Sequence, residues 1–263
     1  MQKETRSIEQ KARMDGARLF GVAPVQRFAG APRGHHPRDF MPEAKSVLVF
    51  GLPVLKSVVN YQHFLQDSEI ISGAFREEYL QRYFYQVSGY DVLNQRLEQI
   101  ALTVSLALDD GGFSAVSFPT TYSGAYKEFQ EKVPGHAGIF SMRHAAVRAG
   151  LGEFGLNNLV VTSEYGPRVR FNAVITSAQL QPTPLLTEKV CLGSSCEICI
   201  EQCNVGALTH GVPGISFTGD VAGAAPGDPW LDPVSRTDIT ACRTKRVKNF
   251  CYGKCIRVCP VGK

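Results

Sequence analysis

The stretch CLGSSCEICIEQC, residues 191–203, determines what the last third of this chain must fold around. It places four cysteines at the spacing C-x4-C-x2-C-x3-C. A second group consists of Cys242 and the three cysteines of NFCYGKCIRVCPVGK, residues 249–263, in which a proline follows the last cysteine. All eight cysteines of the 263-residue chain lie in these two groups. Such clustering indicates that the thiols act together as ligands.

The spacing of both groups approximates the bacterial ferredoxin signature C-x2-C-x2-C-x3-C-P, which is repeated in proteins that hold two [4Fe–4S] clusters. Iron in these clusters prefers anionic thiolates, and the last cysteine of each run ligates the other cluster. The pattern predicts two crossed sets of ligands: Cys191, Cys196, Cys199 and Cys259 in the first, and Cys203, Cys242, Cys251 and Cys255 in the second. Two zinc sites with four thiolates each are the alternative. The trailing Cys-Pro favours iron–sulfur, although Asn204 replaces the first proline and two spacings are longer.

The composition is that of a globular protein from a reducing compartment. Hydrophobic residues make up 44% and charged residues 20% of the chain, and the formal net charge is +4. This mild excess lacks the concentrated basic stripe of a DNA-binding protein. The polar amino-terminal sequence resembles neither a signal peptide nor a twin-arginine leader, and no apolar run is long enough to span a bilayer. We therefore expect a cytoplasmic protein without a membrane or DNA partner, in which disulfides are disfavoured.

Strands and helices alternate along the first two thirds of the chain. The β-branched and aromatic content typical of strands occurs at residues 16–24 (GARLFGVAP), 46–54 (SVLVFGLPV) and 113–118 (FSAVSF). Residues 91–112 carry apolar side chains at helical spacing, with Asp91 as the predicted N-cap and Gly111 as the predicted end. This alternation predicts an α/β layer architecture. The motifs of a Rossmann dinucleotide site and of a P-loop do not occur.

Two further segments predict buried aromatic rings. Phe75, Tyr79 and Tyr83 of FREEYLQRYFYQVSGY, residues 75–90, fall on one helical face, a pattern typical of a core. Residues 211–237 are rich in glycine and proline and have no helical periodicity, so they predict a long irregular loop. The single tryptophan, Trp230, lies in this loop, and we expect it to be a buried anchor.

The stretch SMRHAAVRAGLGEFGLNNLVVTSEYGPRVRFNAVIT, residues 141–176, predicts a short helix that carries Arg143, His144 and Arg148. Closely spaced glycines follow the helix, and then two strands, NNLVVT and RVRFNAVIT, that are joined by a turn around Gly166. Such glycines allow the backbone to approach a partner closely and to expose amide donors to it. A helix C-cap followed by a tight connection is the alternative interpretation.

The stretch AGLGEFGLNNLVVTSEYGPRVR, residues 149–170, together with the cysteines that follow it, resembles the corrinoid-dependent epoxyqueuosine reductases and reductive dehalogenases. The resemblance covers nearly the whole chain. It implies a nitroreductase-like α/β (α+β) domain at residues 1–187 and a ferredoxin-like domain with two [4Fe–4S] clusters at residues 188–263. In this family cobalamin lies between the domains and receives electrons from the clusters. A low-potential electron donor such as ferredoxin or flavodoxin is therefore the implied partner.

The resemblance further implies that the corrinoid lies against the glycine-rich turn. We expect nine residues around this turn to contact it by close backbone approach, hydrogen bonds or charge. They are Arg143, Gly150, Leu151, Gly152, Gly155, Asn157, Asn158, Tyr165 and Arg168. The protein would then position a cofactor that carries out the difficult chemistry.

The proton donor implied by the resemblance is missing at its usual place. Epoxyqueuosine reductases carry an aspartate, taken as the proton donor, ahead of the helix that leads into the turn. The corresponding position is about His136, and no aspartate lies nearby. Dehalogenases use a tyrosine with a basic neighbour, so Tyr122, Tyr126 and Lys127 join His136 as predicted donors.

The leading hypothesis is a cytoplasmic oxidoreductase that passes low-potential electrons through two clusters to a bound corrinoid for a reductive reaction. The first alternative is an electron carrier that reduces the corrinoid of a separate partner protein, because it needs the same clusters. The second is a flavin-using reductase, since nitroreductase-like domains elsewhere hold flavin. A binding module held together by zinc is the last.

Overall fold

A four-stranded antiparallel sheet forms the centre of the fold. The computed structural model describes residues 2–120, 132, 138–210, 232–248, 251 and 253–262. The strands in these ranges are β1 (Leu19–Pro24), β2 (Ser46–Pro53), β3 (Ala115–Ser117), β4 (Glu153–Phe154), β5 (Val160–Val161), β6 (Val169–Thr176), β7 (Leu208–His210) and β8 (Ser235–Thr237). The central sheet has the order β1-β2-β6-β3, and all its pairs are antiparallel. Two small sheets pair β4 with β5 and β7 with β8.

Helices pack on both faces of the central sheet. Those in the described ranges are α1 (Gln2–Met14), α2 (Pro37–Phe40), α3 (Lys56–Val59), α4 (Gly73–Tyr79), α5 (Val92–Asp110), α6 (Met142–Arg148), α7 (Ile198–Glu201), α8 (Ile239–Lys248) and α9 (Lys254–Arg257). A π-helix, Leu80–Asp91, joins α4 to α5. None of the helices that the structure describes is both long and apolar enough to cross a membrane.

The side chains of β2 alternate between two apolar layers. Leu48, Phe50 and Leu52 pack in the layer that contains the buried faces of α1 and α5. Val47 and Val49 pack on the other side, with the buried residues of α6. This is the period-two pattern of a strand that is covered on both faces. Full burial of one such side chain contributes roughly 1.5–3 kcal/mol, so β2 holds both helical layers on the sheet.

Several of the predicted elements are confirmed. The strands predicted at residues 16–24, 46–54 and 113–118 are β1, β2 and β3, and the mixed helix and strand composition is as expected. The sheet pairs in antiparallel fashion, however, so it is not assembled from the parallel βαβ units of an α/β fold. Gly111 does end α5. Asp91 does not cap its start, because the Asp91 backbone is helical and the π-helix runs directly into α5.

The predicted burial of the aromatic stripe is wrong. Phe75 and Tyr83 are each 60% exposed, and no residue of α4 is buried. Between them the ring of Tyr79 lies 4.7 Å from that of Tyr83. For Tyr83 the period of 3.6 residues fails because the helix widens to π geometry from Leu80 onward. Phe75 precedes that change and lies on α4, which has no buried face. Trp230 lies outside the described residues.

The turn after β5 anchors the second cysteine run to the sheet. The two strands predicted around this turn do not pair with each other, because β5 pairs with β4 while β6 enters the central sheet. Gly166 has a φ of +55°, and a Cβ there would collide with the carbonyl of Val261. Arg168 donates from Nη1 to the carbonyl of Val54 and from Nη2 to that of Gly262, each at 2.8 Å. Residues just beyond Cys259 are thus fixed beside the sheet.

Candidate cluster and cofactor site

The eight thiols line two separate cavities. Cys191, Cys196, Cys199 and Cys259 line a small cavity of about 20 Å³. Cys203, Cys242, Cys251 and Cys255 line one part of a larger cavity of about 670 Å³. The structure therefore brings together the same two crossed sets of four cysteines that the spacing predicts. None of the eight cysteines forms a disulfide. Among the described residues, no three His, Cys, Asp or Glu side chains converge as ligands of a single metal ion.

The thiols of each set affect one another electrostatically. The pKa of Cys199 is raised to about 11, first by burial and then by the thiols of Cys191 and Cys259. Burial also raises the pKa of Cys255, and the thiols of Cys251 and Cys242 raise it further. These thiols are therefore protonated at neutral pH when no metal is present. Ligation requires thiolates, so cluster binding must release protons.

A buried carboxylate holds the start of the first cysteine group. Glu153 is fully buried, and its Oε1 accepts hydrogen bonds from the backbone amides of Val190 at 2.6 Å and Cys191 at 2.5 Å. Gly155, two residues later, also lies near this cysteine group. A Cβ built at Gly155 would lie 3.7 Å from the Sγ of Cys191. Sequence reasoning missed Glu153. The sequence feature that could have revealed it is a single acidic residue inside an otherwise apolar, glycine-rich stretch.

A half-buried tyrosine plays the corresponding part in the second group. Gly253 has a φ of +66°, and a Cβ there would collide with the hydroxyl of Tyr85 from the π-helix. Burial raises the pKa of Tyr85, and the nearby thiol of Cys255 raises it further. The close approach of Gly253 to Tyr85 sets the start of α9, which carries Cys255. No local pattern predicts this contact, since Tyr85 and Gly253 are far apart in the chain.

Three of the nine residues predicted to bind the corrinoid line the large cavity: Arg143, Asn157 and Asn158. The Nη1 atom of Arg143 donates to the backbone carbonyl of Asn158 and, at 2.9 Å, to its Oδ1. The Nδ2 atom of Asn158 donates to Thr237 Oγ1 at 3.1 Å, and that of Asn157 donates to the carbonyl of Cys255 at 3.4 Å. These contacts join α6, the segment before β5 and the cysteine segments around one cavity.

The other six predicted residues lie away from the large cavity: Gly150, Leu151, Gly152, Gly155, Tyr165 and Arg168. A Cβ at Gly150 would collide with the carbonyl of Pro184, and one at Gly152 would lie 2.5 Å from the carbonyl of Val161. Leu151 and Tyr165 pack against the hydrophobic core, and Arg168 binds carbonyls. The glycines therefore allow close packing of this chain against itself. The alternative of a tight connection accounts for Gly150 and Gly152, and the position of the corrinoid against this turn stays a prediction.

The remaining walls of the large cavity are largely apolar. Phe28, Phe140 and Phe171 contribute rings, and Arg170 lies 3.6 Å from the ring centroid of Tyr90. His144 also lines the cavity, with its Nδ1 atom 2.6 Å from the hydroxyl of Ser141. The pKa of His144 is lowered to about 3, by burial and then by the charges of Arg148 and Arg143. This imidazole is therefore neutral at physiological pH.

The four predicted proton donors, Tyr122, Tyr126, Lys127 and His136, lie outside the described residues. Gly138, the second residue after His136, lines the large cavity. Before this segment, Thr120 is fixed by two hydrogen bonds from its amide and hydroxyl to the Oε1 atom of Glu98. The role of Tyr122, Tyr126, Lys127 and His136 as proton donors stays a prediction.

Comparison with known proteins finds similarity to epoxyqueuosine reductases and reductive dehalogenases. No protein-family model matches the chain. It is 26% identical over 236 residues to the epoxyqueuosine reductase of Bacillus subtilis, covering 86% of this chain and 50% of that protein. It is also 37% identical over 68 residues to a tetrachloroethene reductive dehalogenase of Desulfitobacterium hafniense, covering 25% of this chain and 12% of the relative. The chain thus spans about half the length of the epoxyqueuosine reductase, and its match to the dehalogenase covers 12% of that protein.

Solved structures show the same fold relationship. A catabolic reductive dehalogenase in complex with 3-bromo-4-hydroxybenzoic acid matches with a TM-score of 0.60 and 15% identity, over 100% of this chain and 32% of that chain. An epoxyqueuosine reductase with a modified tRNA stem loop matches with a TM-score of 0.52 and 18% identity, over 78% of this chain and 52% of that chain. The homologues are oxidoreductases. Together these findings confirm the resemblance to epoxyqueuosine reductases and reductive dehalogenases that the sequence predicts.

Proposed function

We propose that this chain is a cytoplasmic iron–sulfur oxidoreductase that passes low-potential electrons through two [4Fe–4S] clusters to a corrinoid in the large cavity. The observation that carries the proposal is that one set of four thiols lines this cavity while the other lines the small cavity, and Asn157 belongs to the walls of both. Cys199 of the first set is close enough to raise the pKa of Cys255 of the second. Residues 1–187 would hold the corrinoid in a nitroreductase-like domain, and residues 188–263 would hold the clusters.

The donor sets fit two cubane clusters. Each set offers four thiols, which is the ligation of a [4Fe–4S] cluster. Glu197 also lines the small cavity, and His35 and His144 also line the large one. The two sets share one small hydrophobic core that contains Leu156, Cys199 and Leu208, with Cys203 and Cys255 packed against it. These apolar surroundings bury Cys199 and would hold both sets at fixed positions, which favours transfer of electrons between them.

The large cavity fits a cofactor with an apolar body and polar substituents. Its volume lies within the roughly 300–1,000 Å³ of typical small-molecule sites, and Arg143, Asn157 and Asn158 offer hydrogen bonds at its wall. A bound corrinoid would supply a strongly reducing cobalt centre. The chain's own residues would orient it and exclude water, and the predicted donors Tyr122, Tyr126, Lys127 and His136 would deliver protons to the substrate.

The first expected result is the presence of two clusters. Protein purified without oxygen should contain about eight iron atoms and about eight acid-labile sulfides per chain, because each cluster has four of each.

Cobalamin added to this protein should bind saturably, and the absorbance spectrum of the cobalamin should change on binding. Replacing Phe171, which lines the cavity, with tryptophan should weaken binding, whereas the same change at the exposed Phe75 should not. Stoichiometric zinc without labile sulfide would refute the clusters, and tight flavin binding without corrinoid binding would favour the flavin alternative.

An acidic electron donor such as a ferredoxin or flavodoxin is the proposed partner. Residues 239–263 hold seven of the 28 Lys and Arg residues and none of the 24 Asp and Glu residues. They include the second cysteine run, so positive charge surrounds the proposed entry point for electrons. Such a surface attracts a negatively charged partner and speeds its association.

We therefore expect cluster reduction by an acidic donor to slow at least about tenfold between low and high salt, as screening removes this attraction. Lys245 is exposed within this basic segment, and Lys3 is exposed on α1. Stopped-flow absorbance should show slower reduction of the Lys245→Glu variant and an unchanged rate for Lys3→Glu. Equal rates for both variants, or no dependence on salt, would rule out this docking surface.

The electron-carrier alternative predicts the same clusters but a different fate for the corrinoid. The absence of the aspartate near His136 favours it, because a carrier needs no proton donor. Gel filtration after loading with cobalamin separates the two functions. A corrinoid that stays with the chain supports the enzyme, whereas one that transfers completely to a separate corrinoid protein supports the carrier.

A further inference from the structure

We propose that Arg143 binds the acid group of an organic ligand in the large cavity. This inference deepens the proposed function and depends on it for the identity of the cavity as the reaction site. Five described residues with a positive side chain line the cavity: Arg143, Arg148, Arg170, Arg243 and Lys254. No described Asp or Glu lines it. A concave surface with one sign of charge and largely apolar walls concentrates ligands of the opposite sign.

Two of these cations have partners within the protein. Arg148 forms an ion pair with Asp232 at 3.0 Å. Arg170 lies on the ring of Tyr90 and donates from Nε to Asn94 Oδ1 at 2.7 Å. These contacts hold both guanidinium groups against the cavity wall. Arg148 and Arg170 therefore stabilise the cavity, and we do not assign the ligand to them.

Two more cations belong to the cysteine segments. Arg243 is adjacent in sequence to Cys242, and Lys254 is adjacent to Cys255. Burial raises the pKa of Cys251, and the backbone amide and charge of Lys254 oppose that rise. Thiolate ligands are anionic, so these cations offset the charge of the second cysteine set. Arg143 differs from both, because it comes from α6, outside the cysteine segments.

The guanidinium of Arg143 is fixed in place with donors to spare. Its Nη1 atom makes both hydrogen bonds to Asn158, and the ring centroid of Phe154 lies 5.8 Å from its central carbon. Asn158 has a φ of +57°, and it is held in turn by Thr237. Nε and Nη2 have no acceptor among the described residues, and burial lowers the pKa of Arg143 without an offsetting carboxylate there. A fixed guanidinium with two remaining donors matches the paired oxygens of a carboxylate or phosphate.

The rest of the ligand must suit the apolar wall. Phe28, Phe140 and Phe171 line the cavity, so the ligand has an apolar body joined to its acid group. Two sources offer this chemistry. One is the substrate, and the other is the phosphate in the nucleotide part of a complete corrinoid.

Calorimetric titration of the full chain, with its clusters intact and without oxygen, tests the proposal. Benzoate and its neutral analogue benzamide are the probes for a substrate acid. Wild type should bind benzoate at least about tenfold more tightly than benzamide, which equals about 1.4 kcal/mol. Arg143→Gln should reduce that ratio to about one, because the amide removes the charge. Arg143→Lys should retain a preference, and the exposed control Arg6→Gln should behave as wild type.

A second titration identifies the source of the acid group. Cobalamin carries the nucleotide phosphate and cobinamide lacks it. If Arg143→Gln weakens cobalamin binding at least tenfold and leaves cobinamide binding unchanged, the acid group belongs to the corrinoid. The proposal is overturned if Arg143→Gln changes neither the affinity for benzoate relative to benzamide nor the affinity for cobalamin relative to cobinamide. For this result to count, the iron content and circular dichroism of Arg143→Gln must match those of the Arg6→Gln control. The benzoate titration needs no corrinoid, so a failure to bind any corrinoid would count against the proposed function alone.

Discussion

Replacing Cys259 with serine is expected to destroy the cluster of the first cysteine set and to leave the second intact. Cys259 lies next to Cys255 in the second run, yet it lines the small cavity with Cys191, Cys196 and Cys199. Its thiol also raises the pKa of Cys199. The iron content should therefore fall from about eight to about four atoms per chain, since one cluster of four iron atoms is lost.

Two further variants show which cluster is lost. Cys196→Ser removes a ligand of the first set, and Cys242→Ser removes one of the second. Electron paramagnetic resonance of the reduced proteins should give the same remaining signal for Cys259→Ser and Cys196→Ser, and a different signal for Cys242→Ser. A Cys259→Ser spectrum that matches Cys242→Ser instead would show that the ligands are not crossed.

The second large effect is expected at Glu153, which holds the backbone where the first cysteine set begins. Glu153→Ala leaves the part-buried amides of Val190 and Cys191 without their acceptor. Each such loss costs about 1–3 kcal/mol, so we expect a destabilisation of about 2–6 kcal/mol and loss of the first cluster. Urea unfolding followed by circular dichroism measures the stability, and iron analysis measures the cluster.

Glu153→Gln is the informative companion variant, because its amide oxygen can still accept from both backbone amides. It should retain more iron and unfold at a higher urea concentration than Glu153→Ala. The matched control is Glu201→Ala, since Glu201 is exposed on α7. Full iron content and a wild-type unfolding midpoint in Glu153→Ala would show that the carboxylate does not hold the cysteine run.

The parts of this molecule that the sequence predicts well are those governed by short-range patterns. Strand β2 alternates between two apolar layers and was recognisable from SVLVFGLPV alone. The grouping of the cysteines follows from their spacing because neighbouring ligands of one cluster must lie within a few residues of each other. The superfamily was recognisable because its glycine-rich stretch is continuous in the chain.

The parts that the sequence does not predict depend on contacts between distant residues. The glycines at 150 and 152 suggested a cofactor, but the groups that require them are the carbonyls of Pro184 and Val161. The contact of Gly253 with Tyr85 joins residues from opposite ends of the chain. The exposed aromatic stripe shows a further limit, since a change of helical period at Leu80 cannot be inferred from hydrophobic spacing.

The crossing of the cysteine sets also constrains the order in which the protein can mature. A ribosome delivers three thiols of the first set, then Cys203, and only much later the residues from Cys242 to Cys259. A nascent chain that ends before Cys242 therefore exposes four thiols but cannot complete either cavity. Capture of a stray metal ion by these early thiols would compete with correct assembly. Cluster delivery should consequently follow synthesis of the second run and its attachment at Gly166 and Arg168, so that both clusters are acquired in one late step.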